Sequence, residues 1–344
     1  MKIVVGLGSI DEYIKFAEAG ADEFFCGYVP YSWSQKYGTV LPLNRREVLC
    51  YNVQLGAFSE LEILSGMMKK YEKPVHLTFN SLYYIPEQYP EIAGIISQCM
   101  KIGFHSYIIA DPALMVYLRE NGINCEIHLS GECGEINSQM VASLGKLGLK
   151  RVIFHRKNSL EDMQSCIKFV NDKKINYKCD MKENIEEKYM FPDEYEAFIL
   201  NELCHFSGAF CNSLHCDELT HLCRVPYELG NLHKKEETDA AQKDVAETDR
   251  IQGKEGKGLP LDEDGYLTGS TGCGLCALYR MKQVGITHLK LVGRGNYTDF
   301  MEKDIRQLRK ALDILEKSDN ELQYQREMKA SLFPDGCSQN CYYR

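Results

Sequence analysis

No stretch of this chain approaches the ~20 consecutive apolar residues needed to cross a bilayer. Its first residues, Met1-Lys2-Ile3-Val4-Val5-Gly6, carry too short an apolar run for a secretory signal and read instead as a first strand. A basic surplus is also missing. Forty Lys and Arg stand against 49 Asp and Glu, a formal net charge of −9, which argues against a strongly electrostatic nucleic-acid binder, because phosphate binding needs a basic surface. There is no internal repeat of short period. No His-Glu-x-x-His helix or comparable nucleophile–base pair occurs, so standard protease machinery is not visible. Gly6-Leu7-Gly8-Ser9 lacks the third glycine of a dinucleotide loop and reads as a tight turn. These absences leave a soluble chain, expected to be cytoplasmic, whose substrate is a peptide or small molecule more than a nucleic acid.

What is present is a regular alternation. Short apolar runs at Ile3–Leu7, Glu23–Cys26, Val75–Phe79, Ser106–Ala110, Glu126–Leu129, Arg151–Phe154, Glu196–Leu200 and His288–Val292 read as strands, most of them followed by a helical pattern. Ser9 or Asp11 is placed to cap the first helix and Gly20 to end it. Glu47–Tyr71, Pro90–Ile102, Ser138–Leu147 and Asp299–Glu316 carry further helices, and Ser159-Leu-Glu-Asp is a capping-box pattern. Eight strand–helix units predict an α/β fold, a (β/α)8 TIM-like barrel with a cysteine-rich insertion between strands seven and eight. The expected organisation is residues 1–200 for the first seven strands, 201–286 for the insertion, 287–330 for the last strand and helix, and 331–344 for a cysteine-containing tail. Residues 233–258 have almost no apolar content and are expected to be an exposed, mobile excursion.

Barrel chemistry sits at the C-terminal strand ends, and the residues just after each run are polar. They are Asn80, Asp111, Ser130 with Glu132, His155 with Arg156, Glu202 with Cys204, and Arg294. The N-terminal strand ends read as blander. Asp111 precedes Pro112 and suits either a helix cap or a catalytic role. Arg156 and Arg294 suit a carboxylate or phosphate clamp, or a salt bridge to Asp111 or Glu132. His128 and His155, flanked by apolar residues, read as satisfied buried histidines.

Fifteen cysteines are many for an intracellular chain. Cys50, Cys99, Cys125, Cys166 and Cys179 fall inside expected elements and read as small apolar packing, as do Cys26 and Cys133 near strand ends. Cys204, Cys211, Cys216 and Cys223 are different: four thiols within twenty residues beside glycine and polar residues point to metal or cluster ligation. Zinc favours paired Cys-x2-Cys hooks, of which Cys273-Gly-Leu-Cys276 is one. A [4Fe–4S] cluster accepts wider spacings. Both readings stay open on spacing. Cys337 and Cys341 suggest a redox pair or a second site.

The chain resembles the collagenase-like peptidase family U-32. The likeness rests on Gly8-Ser9 with Ala19-Gly20-Ala21-Asp22, Thr78-Phe79-Asn80, Ile109-Ala110-Asp111-Pro112, and Ile127-His128-Leu129-Ser130 with Asn137. It continues through Arg151-Val152-Ile153 and Glu196-Ala197-Phe198, then Cys204-x2-Ser207-Gly208-x2-Cys211 with Cys223-Arg224, and Leu289-Lys290-Leu291-Val292-Gly293-Arg294. The resemblance implies a [4Fe–4S] cluster on Cys204, Cys211, Cys223 and Cys273, with zinc as the alternative and Cys216 or Cys276 as competing ligands. It implies oxygen-independent hydroxylation or a related modification, with a prephenate-like dicarboxylate as oxygen source and a homologous subunit as a possible heteromeric partner. The alternatives it leaves are an atypical or metal-dependent peptidase and a non-catalytic cluster-bearing subunit. In this reading Asp111 and Arg156 are catalytic, and Asn80, Ser130, Glu132 and Arg294 bind substrate. The chain departs from the family pattern at Val5-Gly6-Leu7, at Arg156-Lys157 where an Arg-Glu pair is usual, and at Asn201-Glu202 where His-Gly is usual.

Overall fold

The computed structural model describes residues 1–38, 40–45, 53–180, 191–204 and 260–343. Among these residues nine strands form one parallel sheet: β1 (Lys2–Leu7), β2 (Glu23–Tyr28), β3 (Gln54–Leu55), β4 (Val75–Phe79), β5 (Ser106–Ile109), β6 (Glu126–Leu129), β7 (Leu149–Ile153), β8 (Glu194–Leu200) and β9 (His288–Leu291). β1 pairs with both β2 and β9, which closes eight of them into a barrel; β3 is a short flap paired to the end of β2. The described helices are α1 (Glu12–Ala19), α2 (Tyr31–Tyr37), α3 (Phe58–Tyr71), α4 (Gln88–Lys101), α5 (Pro112–Glu120), α6 (Ser138–Gly145), α7 (Leu160–Asp180), α8 (Leu278–Val284), α9 (Thr298–Glu316) and α10 (Glu321–Leu332). The expected (β/α)8 barrel is therefore the fold, and the eight expected strands are its eight staves. No helix among the described residues is long and apolar enough to cross a membrane. The expected excursion at 233–258 lies outside the described residues, as do Cys50, Cys211, Cys216 and Cys223.

Side-chain alternation builds two layers from each strand. In β2, Phe24, Cys26 and Tyr28 face the helices and join the large outer core, whereas Phe25 joins a small inner cluster with Val4, Ile108, Ile153, Phe198 and Val292. Local capping departs from expectation in one place. Asp11 makes no side-chain cap; Glu12 reaches back instead and accepts from Gly8 N at 2.7 Å. Gly20 ends α1 in the left-handed conformation, and Ser159 with Asp162 forms the reciprocal capping pair at α7. The helix expected over Glu47–Tyr71 starts only at Phe58, after the β3 flap. α2 and α8, at seven residues each, are too short to show a periodic signal, and α10 follows its own Asn320 cap.

The floor of the barrel overturns the expectation that the N-terminal strand ends are bland. Arg151 is 2 % exposed and its guanidinium reaches Glu23 at 2.6 Å, Glu194 at 2.8 Å and Glu196 at 2.9 Å. His76 and His288 close on Glu23 at 3.0 and 3.3 Å, and Lys290 donates to Glu196 at 2.9 Å. Burial pushes the Glu23 carboxyl up, but hydrogen bonds with His288 and His76 and the Arg151 charge outweigh it and hold it well below the usual carboxylate range. Burial likewise raises Glu196, and the Lys290 and Arg151 charges overcome it, holding it down to about 2. Charged residues this deep are missed by hydrophobic patterning because each reads as an isolated polar interruption of a strand.

Replacing Arg151 with Met removes the cation shared by Glu23, Glu194 and Glu196 and breaks the buried network, which should cost about 3–5 kcal/mol, measured by urea unfolding at pH 7. Because the Glu196 carboxyl titrates near 2 in the fold against a usual 4.5, its stabilisation is complete above about pH 4.5 and is lost as pH falls toward 2. Urea midpoints should therefore decline below pH 4.5 in the wild type, and the decline should be shallower in R151M.

Candidate functional site

The C-terminal strand ends enclose a cavity of about 80 Å3. Asn80, Ser130, Glu132, Arg156, Glu202 and Arg294, six residues expected at the mouth, all line it, joined by Arg45, Lys290, Phe25 and Phe198. Four cations thus face two carboxylates on the wall, and the surplus positive charge suits an anion. Lys290 already neutralises Glu196 beneath the cavity, while its Nζ stands 3.5 Å from the centre of the Phe25 ring. Burial lowers the Lys290 ammonium, and Glu196 only partly opposes this.

Arg156 leaves the turn after β7. Its Nη1 donates to Glu132 Oε1 at 3.2 Å and its guanidinium lies 4.0 Å over Phe198. Arg45 Nε stands 3.6 Å from the other Glu132 oxygen, so one carboxylate aligns two guanidinium forks. Ser130 Oγ accepts from Glu132 N at 3.2 Å and holds the turn that carries Glu132. Gly131 is required there, since a Cβ would stand 2.9 Å from Ile153 O. Asn80 Oδ1 accepts from Arg45 N at 3.1 Å and fixes that arginine's backbone.

Arg294 crosses the mouth from the β9 end toward β2, and Nη1 donates to Val53 O at 3.4 Å. Two glycines make its channel. A Cβ at Gly6 would stand 2.8 Å from Arg294 Cγ, and one at Gly27 2.8 Å from Nη1. The sequence read Gly6 as part of a tight turn, whereas it lies within β1, and it did not single out Gly27, because the close approach exists only once β1, β2 and β9 are side by side.

Asp111, the other member of the expected catalytic pair, is placed as the helix cap that the sequence also allowed. It is not among the cavity's lining residues. Its Oδ1 accepts from Ala113 N at 2.9 Å as the α5 cap, and its Oδ2 accepts from Tyr89 OH at 2.9 Å. The Pro112 that follows belongs to that helix start. His128 and His155 are both buried; His155 Nδ1 accepts from Lys157 N at 3.2 Å, whereas His128 Nδ1 has no hydrogen-bond partner among the described residues, against the expectation of a satisfied histidine. A Ser–His–Glu relay does exist elsewhere: Ser106 Oγ lies 2.5 Å from His76 Nδ1, and His76 Nε2 lies 3.0 Å from Glu23. All three are buried within the charged barrel floor, none of them lines the mouth cavity, and Glu23 is committed to Arg151.

At the end of β8, Asn201 and Glu202 take φ of 66° and 50°, consecutive left-handed residues that are not glycine. Asn201 is held by donating to Asp304 Oδ2 at 2.6 Å, and Leu203 N donates to Thr271 O at 2.9 Å. This bend carries Cys204 to the wall of a second cavity of about 420 Å3, which also has Arg156 in its wall. Cys273 lies on the stretch paired to β8, bridged to Leu200, and Cys341 bridges to its other side. Burial pushes the Cys273 thiol up to about 12, helped by the neighbouring Cys276, Cys337 and Cys341. A metal would have to displace that proton. Cys204 and Cys273 are thiols on adjoining stretches, the donor type that a thiolate-bound centre takes. Cys211 and Cys223 lie outside the described residues. Among the described residues no three Cys, His, Asp or Glu side chains are grouped as a metal site, so Cys273, Cys276, Cys337 and Cys341 are neighbours without forming one.

The fold and this mouth define a TIM-barrel protein with a polar, cation-rich cavity at the C-terminal strand ends. The chain belongs to peptidase family U32, whose model matches residues 8–343. Among solved structures it is similar to the U32 peptidase Mk0906, at 11% identity over 58% of this chain and 68% of that one, TM-score 0.39. A protein from Aquifex aeolicus VF5 is 12% identical over 57% and 73%, TM-score 0.33. 2,3-Dimethylmalate lyase, of the PEP mutase/isocitrate lyase superfamily, is 10% identical over 97% and 90%, TM-score 0.38. No curated protein matches the chain.

Gly27→Ala should push the Arg294 guanidinium aside while leaving the barrel folded, because the atom it meets is the far end of a flexible side chain. Malonate, a small dianion, should bind the variant several-fold more weakly by calorimetry. Arg156→Gln should weaken it by about 10-fold or more, the range of one charge-assisted hydrogen bond.

Proposed function

We propose that this U32 chain is an enzyme that binds a carboxylate-bearing peptide or small molecule at the barrel mouth and modifies it by oxygen-independent hydroxylation or a related reaction. The observation that carries the reading is the convergence of Arg45, Arg156, Lys290 and Arg294 on one cavity at the C-terminal strand ends, beside Cys204 and Cys273. In this reading Arg156 and Arg294 orient the carboxylate groups of the substrate or of a prephenate-like dicarboxylate donor. Glu132 holds Arg156 and Arg45 in register, and Asn80 and Ser130 fix the loops that present them. The aromatic faces of Phe25 and Phe198 exclude water and strengthen those charge interactions. Cys204, Cys211, Cys223 and Cys273 would hold a [4Fe–4S] cluster, which supplies one-electron redox chemistry next to the bound substrate. Zinc on the same thiols is the alternative, and a homologous subunit is the partner proposed for a heteromer.

A peptidase reading, suggested by the family's name, finds less support. It requires an accessible nucleophile with its base, and the Ser106–His76–Glu23 relay is sealed in the barrel floor.

Protein purified without oxygen should contain about four irons and four sulfides per chain and absorb broadly near 400 nm, as a cluster held by four cysteines requires. Cys204→Ala should lose most of the iron while keeping its far-ultraviolet circular dichroism. One zinc with no colour would replace the cluster reading with a zinc site, and iron retained in full by C204A would remove Cys204 from the ligand set.

A further inference from the structure

The mouth cavity, at about 80 Å3, is well below the ~300–1,000 Å3 of ordinary ligand pockets. The second cavity, about 420 Å3, lies next to it, and Arg156 is part of both walls. Tyr342 lines the second cavity and belongs to the apolar cluster whose members Phe25, Ile153 and Phe198 line the first.

Tyr342 arrives on the segment that follows α10, which turns at Gln339 (φ 59°) and then pairs with Cys273. Cys273 N donates to Asn340 O at 2.8 Å and Tyr342 N donates to Cys273 O at 2.9 Å, the two bonds of a parallel strand pairing with Cys273. The phenols are received by backbone: Tyr342 OH donates to Asn201 O, and Tyr343 OH donates to Phe198 O at 2.7 Å. The seat is shaped for both rings. A Cβ at Gly272 would stand 2.9 Å from the Tyr342 ring, and one at Gly274 3.1 Å from the Tyr343 ring. Main-chain pairing plus pockets for side chains is how sheet edges take up peptides.

We propose that residues 340–343 are a displaceable occupant of a peptide subsite, and that an extended tyrosine-bearing peptide replaces them when the site is in use. The peptide pairs with Cys273 through its main chain and sets an aromatic side chain beside Arg156. This rests on the reading of the mouth cavity as the substrate site and names the substrate class. Displacement joins the two cavities into one chamber of ligand size, with the anion-binding arginine at its centre. The eight staves cannot open without breaking the barrel, whereas this segment is held by a handful of hydrogen bonds and two rings.

The probe is a labelled peptide, acetyl-Ser-Gln-Asn-Ser-Tyr-Tyr-amide, titrated into the full chain and read by fluorescence anisotropy. Tyr342→Ala releases the resident segment, so the variant should bind the peptide at least about tenfold more tightly than the wild type, in proportion to its larger open fraction. Adding Gly272→Val to that variant fills the seat and should abolish the gain. Equal affinity in wild type and Y342A would overturn the proposal. Hydrogen exchange on the unmodified chain needs no variant. The Tyr342 and Cys273 amides should exchange faster than those of β1 and β2 and become protected by the peptide; protection equal to the strands without peptide would also overturn it. Malonate binding separates the two readings: loss of malonate binding in R156Q bears on the anion site alone, and peptide capture by a chain that ignores malonate would leave the subsite standing while removing the anion reading.

Discussion

The buried Arg151 guanidinium is the constraint around which this barrel is organised. It comes from β7, yet it ties β2 and β8 across the barrel through Glu23, Glu194 and Glu196, and β9 joins through His288 and Lys290. A buried charge cluster is not a strong source of net stability, because desolvation offsets much of the attraction. Its effect is on specificity. Only one register of these strands satisfies every carboxylate, and a slip of one residue would turn the charges into the helix layer. The chain therefore fills the lower barrel with ionic pairs and confines apolar packing to the small ring of Val4, Phe25, Ile108, Ile153, Phe198 and Val292 above it.

That arrangement determines what the mouth can do. Lys290 spans the two levels: its ammonium answers Glu196 below and lies against Phe25, which forms part of the cavity wall. Arg294, two turns of the alternation further along the β9 exit, occupies the next level, in the channel that Gly6 and Gly27 leave open. The floor thus fixes the height and direction of the cations above it. Glu132 does the same on the opposite side for Arg156 and Arg45. Rigid staves with short polar loops at one end are the general solution of this fold, and here the loops present arginine forks.

The thiols stand at the same end for a related reason. β8 runs in the barrel wall as far as Leu200, then bends through the left-handed Asn201 and Glu202, and the stretch holding Cys273 returns beside it. Asp304 supports the bend from α9. Burial raises its carboxyl to about 6, opposed in part by the Asn201 amide and the Tyr266 hydroxyl that donate to it. This hydrogen-bonded turn brings Cys204 beside the stretch that carries Cys273, which packs against the outer core.

The amino-acid sequence by itself determined the eight strands, the order of the units, the end of the barrel that carries the polar groups, and the family. Each follows from local pattern: apolar runs of four or five residues, caps such as Ser159 with Asp162, and side chains placed just beyond a strand. Asn80, Ser130, Glu132, Arg156 and Arg294 were legible because barrel geometry sends every strand exit to one place. Asp111 was ambiguous for the same local reason, since a carboxylate before proline serves a cap and a site equally well. Only the tertiary structure decided what depends on strands distant in the chain. The Arg151 cluster joins residues more than a hundred positions apart, Gly6 and Gly27 matter only where Arg294 passes between them, and Tyr342 reaches the mouth by pairing with Cys273. None of these leaves a periodic mark, because closure of the barrel, not the local chain, brings the partners within bonding distance.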